Sequence, residues 1–220
     1  MRVIHLIGGG DTGGAKTHVL NLLKELNQSI DAQLFCFRKG DFSEDAAKMG
    51  IPIEVIESGN PVVGLRELKR RLAGQKVDII HCHGARGNLM GNLVKKHLGA
   101  PVVTTVHSDY RLDYLGRPVA RLSYGTTNMV ALRRVNFYIG VSDPMTDILI
   151  ERGFPADRIY TIYNGIDFKT PIHPVPKEEF LQSVGMQWEK DDVIAGIAVR
   201  LSPVKDVPTL LRAMKIASEK

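Results

Sequence analysis

The sequence has little of what marks secreted, membrane-spanning or nucleic-acid-binding proteins. It contains only two cysteines, Cys36 and Cys82, and both lie in apolar runs, which favours buried thiols over a disulfide framework. No apolar run approaches the roughly 20 residues that span a bilayer. The N-terminus also shows no secretory signal pattern. We therefore expect a cytoplasmic protein.

Aromatic residues are scarce as well, at 6% of the chain, and no zinc-finger or RNA-binding motif is present. These features exclude nucleic acid as an expected partner. The net charge of +5 is mild, but basic residues cluster in Arg66–Arg71 and in the segment 111–134. Solvated helix faces are the simpler interpretation. The alternative is a basic surface that meets a phosphorylated substrate or anionic lipid at the inner membrane.

What the chain does show is an alternation of strand-like apolar runs and helical patterns. The seven predicted strands are Arg2–Ile7, Ala32–Phe37, Ile53–Ile56, Asp78–Cys82, Val102–Val106, Phe137–Val141 and Ile159–Tyr163. The predicted helices between them are Ala15–Asn27, Glu44–Met49, Val62–Ala73, Ala85–Leu98, Pro118–Val135 and Pro144–Arg152. This alternation predicts an α/β fold, a Rossmann-like doubly wound parallel sheet covered by helices on both faces.

The organisation changes after residue 169. We expect an N-terminal domain over 1–169 and a linker over 170–190, which begins with a proline-rich stretch and contains a short helix at Glu178–Val184. A strand at Val193–Val199 and a helix at Val207–Ala217 make up the rest, 191–220. Because one strand and one helix cannot bury an apolar face alone, we expect a truncated second α/β domain.

A glycine-rich loop separates the first strand from the first helix. Gly13 and Gly14 end this loop, which begins at Gly8. A strand, a glycine loop and a helix are typical of an anion site, because the helix N-terminus faces the ligand and glycine allows close backbone approach.

The same loop also matches the dinucleotide fingerprint G-x-G-x-x-G at Gly8, Gly10 and Gly13. Arg38 and Lys39 follow the second strand, where an arginine could accept a 2′-phosphate. An NADP-dependent oxidoreductase is therefore a rival interpretation. No Tyr-x-x-x-Lys pair or similar hydride-transfer set supports it.

Histidines occupy several positions at the ends of predicted strands, where ligands bind in parallel sheets. His81 and His83 share one face of a strand and Cys82 points away, which argues against one metal bound by all three. No further ligand motif appears, so we expect no metal site. Hydrogen-bonded structural histidines are the simpler interpretation, and His18 is by default a polar residue near a helix N-terminus. For His107, structural and functional interpretations are evenly balanced.

Together these segments resemble the retaining glycosyltransferases of the GT-B fold, specifically the group 1 class, glycosyltransferase family 4. The resemblance extends over essentially the whole chain. It is carried by Gly13–Val19, Asp78–Gly84, Thr105–His107, Val141–Ser142, Arg158–Asp167 and Gly196–Asp206.

The resemblance implies transfer of a sugar from a nucleotide-sugar donor with retention of anomeric configuration, without a metal or other cofactor. Gly13 and Gly14 would let the backbone approach the donor. Arg200 and Lys205 would clasp the donor diphosphate, and His107 would hydrogen-bond the transferring sugar near the reacting centre. Two residues depart from the family pattern, because Ala198 and Asp206 stand where glycine is usual.

The acceptor implied by the resemblance is a sugar or glycolipid, as in polysaccharide biosynthesis. The residues expected to bind it are His18, His83, Tyr110 and Arg111. The paired glutamates of the family and most of its nucleotide pocket would lie beyond residue 220, so we expect the isolated chain to be inactive. A non-catalytic sugar-phosphate-binding domain is a third interpretation.

Overall fold

The computed structural model describes residues 1–10, 13–112, 125–166, 173–189, 191–199 and 201–219. The chain divides into two compact units, 1–165 and 166–220. The domain limits expected from the sequence, 1–169, 170–190 and 191–220, stay predictions.

The first unit contains a parallel sheet of seven strands in the order β3-β2-β1-β4-β5-β6-β7. Register places Ile7, the last residue of β1, between Cys36 and His83. The predicted α/β class and the seven predicted strands are confirmed, with ends shifted by no more than about two residues. The strands are β1 Arg2–Ile7, β2 Asp31–Cys36, β3 Ile53–Val55, β4 Ile79–His83, β5 Val102–Val106, β6 Phe137–Gly140 and β7 Ile159–Thr161.

Helices connect successive strands, as the sequence predicts. Those of the first unit are α1 Gly14–Leu26, α2 Asp41–Lys48, α3 Pro61–Arg71, α4 Gly84–Leu98, α5 Thr126–Leu132 and α6 Asp143–Glu151. Only part of the long basic helix predicted at Pro118–Val135 lies in the described residues, where α5 accounts for it.

Helix caps explain most of the boundaries. The Asn60 side chain accepts a hydrogen bond from the Val62 amide, and Ser142 accepts one from Met145, as expected of N-caps. Ser43 does not cap α2, because that helix begins at Asp41 and the Ser43 hydroxyl instead bonds back to Gly40 at 2.8 Å.

The core forms one cluster on each face of the sheet. Alternation along β1 sends Ile4 and Leu6 into one cluster and Ile7 into the other, the face on which His5 also lies. The cluster with Ile4 includes Met90 and Val94 of α4, and the cluster with Ile7 includes apolar residues of α1 and α2. The predicted burial of Cys36 and Cys82 is confirmed.

The second unit contains α7 Lys177–Ser183, a 3₁₀ turn at Pro203–Lys205 and α8 Val207–Ser218. The strand predicted at Val193–Val199 is wrong, because the chain there is neither strand nor helix. A strand needs a neighbour for its backbone N–H and C=O groups, and the described residues of this unit contain no strand. Residue 200 lies outside the described residues.

Candidate active site

The loop between β1 and α1 places a free helix N-terminus at the carboxyl edge of the sheet. Gly13 is the N-cap of α1, with φ of 66°, and no side chain of the described residues forms a cap hydrogen bond there. The first backbone N–H groups of a helix lack intrahelical partners and attract anions. The start of α1 is therefore open to an anionic ligand.

The glycines of this loop differ in what a side chain would meet at each position. Gly9 has φ of 86°, and a Cβ placed on it would lie 2.6 Å from the Arg38 carbonyl oxygen. A side chain at position 9 would therefore destabilise the fold. A Cβ on Gly13 or Gly14 would meet nothing within 4 Å. The space beside these two residues is available to a ligand.

Five of the seven histidines converge beside this loop. The sequence prediction that His81 and His83 share one face is confirmed, since their ring centroids are 4.4 Å apart. The sequence analysis missed His5, which register places beside His81. Its signal was available, because His5 stands at the inward-facing centre of an otherwise apolar strand. His18 of α1 and His107, which follows β5, complete the histidine cluster.

Hydrogen bonds and ring contacts link these histidines. His5 Nδ1 lies 3.2 Å from His83 Nε2, and His81 Nε2 lies 2.8 Å from Thr105 Oγ1. The rings of His18 and His107 meet edge to face, with centroids 4.8 Å apart. His18 also hydrogen-bonds to Asn164, which follows β7. Segments distant in the sequence therefore meet at one edge of the sheet.

The histidines of this cluster are held in the neutral form. Burial, together with a smaller electrostatic effect of His18, lowers the pKa of His5 to about 3 and that of His107 to about 4. Burial also lowers the pKa of His18, against the hydrogen bond with Asn164, which raises it. At neutral pH, His107 is thus a hydrogen-bonding imidazole with one donor and one acceptor nitrogen.

Several ring nitrogens of the cluster have no hydrogen-bond partner among the described residues. Nε2 of His18 and Nε2 of His107 are buried and unpaired, as are Nε2 of His5 and Nδ1 of His83. Buried polar groups without a partner are rare and call for an explanation. Because the two rings meet beside the open start of α1, a bound hydroxyl-rich ligand would satisfy Nε2 of His18 and His107.

The same cluster includes a group that could hold a metal. His5, His81 and His83 each offer a ring nitrogen, and these nitrogens lie within 4.8 Å of one another. Imidazole is a ligand of Zn²⁺ and related metals at about 2.0–2.1 Å. All three rings are buried, so a metal held there would be enclosed by protein.

Tyr110 and Arg111 do not join the histidine cluster. Tyr110 is only 5% exposed and packs in the core against Phe154, with ring centroids 6.0 Å apart. The ring of Tyr110 therefore belongs to the core, and its predicted contact with the acceptor stays a prediction. Arg111 is exposed, and its backbone N–H donates to Asp109. Residues 113–124, which follow them, lie outside the described residues.

The predicted diphosphate clasp belongs to the second unit. Arg200 lies outside the described residues, whereas Lys205 is exposed at the end of a 3₁₀ turn. Asp206, where the resembled family usually has glycine, has φ of 43° in the left-handed region. Glycine adopts this conformation without strain and aspartate tolerates it. Asp206 is the N-cap residue of α8 but forms no side-chain cap hydrogen bond.

The start of α1 and the histidine cluster lie at the carboxyl edge of the parallel sheet, where Rossmann-like α/β proteins bind their ligands. The model of Glycosyltransferase Family 4 matches residues 12–170. The chain therefore belongs to glycosyltransferase family 4, and its fold is that of the GT-B glycosyltransferases.

Individual relatives agree with this family. The chain is 25% identical over 213 residues to α-maltose-1-phosphate synthase of Mycolicibacterium smegmatis, covering 91% of this chain and 53% of the relative. It is 24% identical over 186 residues to the Escherichia coli UDP-Gal:α-D-GlcNAc-diphosphoundecaprenol α-1,3-galactosyltransferase, covering 74% and 47%. The chain thus spans about half the length of these curated relatives.

A solved structure supports the fold. The crystal structure of Anabaena HepE in complex with UDP-glucose superposes with a TM-score of 0.75 at 20% identity, covering 97% of this chain and 57% of that one. None of the described helices is both long and apolar enough to cross a membrane.

Proposed function

We propose that this glycosyltransferase moves a sugar from a nucleotide-sugar donor to a sugar or glycolipid acceptor, with retention of anomeric configuration. The observation that carries the proposal is the meeting of His107 and His18, with unpaired buried nitrogens, beside the uncapped start of α1. This arrangement offers an anion site and groups that could bind a sugar at the carboxyl edge of the sheet. Membership of family 4 favours it over an NADP-dependent oxidoreductase.

The relatives support the two substrate classes. HepE was solved with UDP-glucose, which favours a nucleotide-sugar as donor here. The names of the two curated relatives contain a sugar phosphate and a diphosphoundecaprenol-linked sugar. We therefore propose a sugar or glycolipid acceptor, consistent with a role in polysaccharide biosynthesis.

In the proposed reaction the protein needs no metal. Negative charge develops on the diphosphate as it leaves in the transition state. The cationic side chains of Arg200 and Lys205 would stabilise this charge. Neutral His107 would hydrogen-bond a hydroxyl of the transferring sugar and would not act as nucleophile. The described first unit would supply the acceptor side, and we propose that this 220-residue chain alone is inactive.

The test is a transfer assay with the full-length protein and a panel of UDP-, GDP- and ADP-sugars. Release of the nucleoside diphosphate together with a glycosylated product is expected, and NMR of that product gives the anomeric configuration. An inverted linkage contradicts retention alone. Saturable NADPH binding without any donor cleavage contradicts the transferase.

We also propose that the protein contacts an anionic membrane surface through a groove lined by basic and apolar side chains. It lies between α4 and α5, with a volume of about 570 Å³, and is lined by Leu93, Val130, Lys96 and Arg134 among others. Leu93 and Val130 are 45% and 41% exposed. Exposed apolar side chains beside cations are typical of interfacial binding. Sedimentation with phosphatidylglycerol vesicles, compared with phosphatidylcholine vesicles, tests this contact, and equal binding to both contradicts it.

A further inference from the structure

His107 lies just beyond the end of the strand that carries it. The pairing of β5 with β6 ends at Val106 and Gly140, and its pairing with β4 ends at Thr105. The sheet therefore does not fix the direction of the chain at His107, which depends on the contacts of the residues that follow. We refer to residues 108–112 as the post-β5 segment.

Asp109 closes a turn in the post-β5 segment. Its Oδ1 accepts a hydrogen bond from the Arg111 backbone N–H at 3.1 Å, and its carbonyl oxygen accepts one from the Leu112 N–H at 2.8 Å. An aspartate side chain that bonds the backbone two residues ahead forms an Asx turn. The Asp109 carboxylate therefore sets the course of the chain two residues after His107.

The other carboxylate oxygen of Asp109 pairs with Arg152, which directly follows α6. Arg152 Nη2 donates to Asp109 Oδ2 at 2.7 Å, and the side chains of Arg152 and Asp109 are 29% and 7% exposed. Burial raises the pKa of the Asp109 carboxyl, but the hydrogen bonds from Arg152 and from the Arg111 N–H outweigh burial, so that pKa is lowered. At neutral pH, Asp109 is therefore a carboxylate paired with a guanidinium.

Arg152 is itself held in place. Its carbonyl oxygen accepts a hydrogen bond from Arg133 Nη2 at 3.0 Å. The Arg133 guanidinium lies over the Phe154 ring, 5.2 Å from the centroid, and the same ring packs against Tyr110 of the post-β5 segment. The ion pair of Asp109 and the ring contact of Tyr110 thus join the segment to one short stretch of chain after α6.

An ion pair in this position is better suited to setting a direction than to adding stability. Removing charges from water costs free energy that their mutual attraction only partly offsets, so a partly buried pair contributes little net stability. The buried ring of Tyr110 already gives the segment an apolar anchor. What the pair of Asp109 and Arg152 adds is a short, directional, charge-assisted hydrogen bond two residues from His107.

We propose that Asp109 and Arg152 are positioning residues, whose ion pair holds His107 in the orientation that hydrogen-bonds the transferring sugar. This inference rests on the proposed glycosyl transfer and adds two residues that serve it without touching the sugar. A displacement of about 1 Å in a group that acts on the reacting centre can lower the rate by about 100-fold. Loss of the ion pair should therefore affect turnover more than donor binding.

The first test is steady-state kinetics of the full-length protein. Asp109→Asn keeps an oxygen that can accept from the Arg111 N–H but removes the negative charge, and Arg152→Gln removes the positive charge. Because Arg152 is partly exposed, water can solvate it when its partner is lost, so the fold should survive. Each variant should lower kcat by at least about fivefold and leave the KM for the nucleotide-sugar within about twofold. Arg152→Lys keeps the cation and should retain more of kcat than Arg152→Gln.

A double-mutant cycle separates positioning of His107 from a general structural effect. In a His107→Ala background, Asp109→Asn should change kcat by less than about twofold, because the effects of residues that act as a unit are not additive. The same fivefold loss in that background would overturn the proposal, and so would parent-like kcat in both Asp109→Asn and Arg152→Gln. The matched control is Lys48→Gln, which breaks an exposed ion pair with Asp45 on α2 and should leave kcat unchanged.

The second test observes His107 by NMR, without any transfer reaction. In the 220-residue chain with isotope-labelled histidine, the ring signals of His107 are identified by their loss in His107→Ala. Asp109→Asn and Arg152→Gln should shift or broaden these signals and leave those of His5 unchanged. Unshifted His107 signals in both variants overturn the proposal. Equal changes at His5 would show a general loss of packing and overturn it as well.

The two tests keep this inference apart from the proposed function. Absence of transfer by the full-length parent would contradict glycosyl transfer, whereas the NMR comparison would still decide whether the ion pair orients His107. Normal transfer together with an unmoved His107 in the variants would leave glycosyl transfer standing and overturn only the role of Asp109 and Arg152.

Discussion

His18 and His107 stand edge to face with ring centroids 4.8 Å apart, although 89 positions separate them in the sequence (107 − 18). His18 comes from the first turns of α1 and His107 from the end of β5. Their Nε2 atoms are both buried and unpaired. This pair therefore offers two neutral imidazoles to a ligand that approaches the start of α1.

His107→Ala is expected to lower turnover of the full-length protein by at least about tenfold, because it removes a hydrogen-bonding group at the reacting centre. The fold should survive, with the thermal unfolding midpoint close to that of the parent. The matched control is His97→Ala, at an exposed position of α4. Parent-like turnover in His107→Ala would remove this residue from the active site.

Gly14→Ala should separate ligand binding from folding. Gly14 has open space around it and begins α1, so alanine fits the backbone and favours the helix. We expect an unchanged or raised unfolding midpoint but a higher KM for the nucleotide-sugar, because the added methyl group occupies the space beside the helix N-terminus.

Gly9→Ala is the matched comparison for Gly14→Ala. Here a Cβ would meet the Arg38 carbonyl and φ is positive, so a loss of about 1–3 kcal/mol in unfolding free energy is expected from urea denaturation. A KM for the nucleotide-sugar that is unchanged in Gly14→Ala would show that the open space at Gly14 has no role in binding.

Acid should destabilise the first unit through its buried histidines. The pKa of His5 is lowered to about 3 in the folded protein, below its ordinary value near 6.5, so the folded state binds fewer protons than the unfolded state. Its stabilising contribution is complete above about pH 6.5 and declines as the pH falls toward 3. The slope is about 1.4 kcal/mol per pH unit for each such imidazole.

Urea denaturation at pH 7.5, 6.5 and 5.5 measures this dependence. His5→Asn should lower the stability at pH 7.5 but reduce its dependence on pH, because asparagine does not titrate. A free energy of unfolding that is the same at pH 7.5 and 5.5 would contradict neutral buried histidines.

Chelation should leave glycosyl transfer intact. Dialysis against EDTA is expected to leave turnover of the full-length protein within about twofold of its starting value, because cationic side chains serve the leaving diphosphate. Metal analysis by mass spectrometry accompanies the assay, since His5, His81 and His83 could hold an ion. Activity that is lost on chelation and restored by a divalent cation contradicts the metal-free mechanism.

The chain's local patterns predicted its regular structure well. The periodicity of the apolar residues located β1 and β5 to the residue. The exception, Val193–Val199, has an apolar run without a partner strand. Apolar pattern alone cannot supply the neighbour that a strand requires.

Which histidines form the cluster depended more on tertiary structure than on local sequence patterns. Ligands bind at the carboxyl ends of parallel strands, and this expectation drew attention to His83 and His107. It gave no reason to include His5, whose position beside His81 depends on the register between β1 and β4. Tyr110 is a second case, because only the structure shows that its ring packs against Phe154 in the core. Its predicted role in acceptor binding stays a prediction.

By itself, the sequence determined the α/β class, the glycine loop and the family, because these follow from local spacing and from residue types that only certain backbone conformations accept. Only the tertiary structure decided which side chains share a site. Parallel register joined His5 to His81 and His83. Packing joined Arg152, at the end of α6, to Asp109 after β5. The physical reason is that local propensities act within a few residues, whereas burial, charge and hydrogen bonding depend on neighbours brought together by folding.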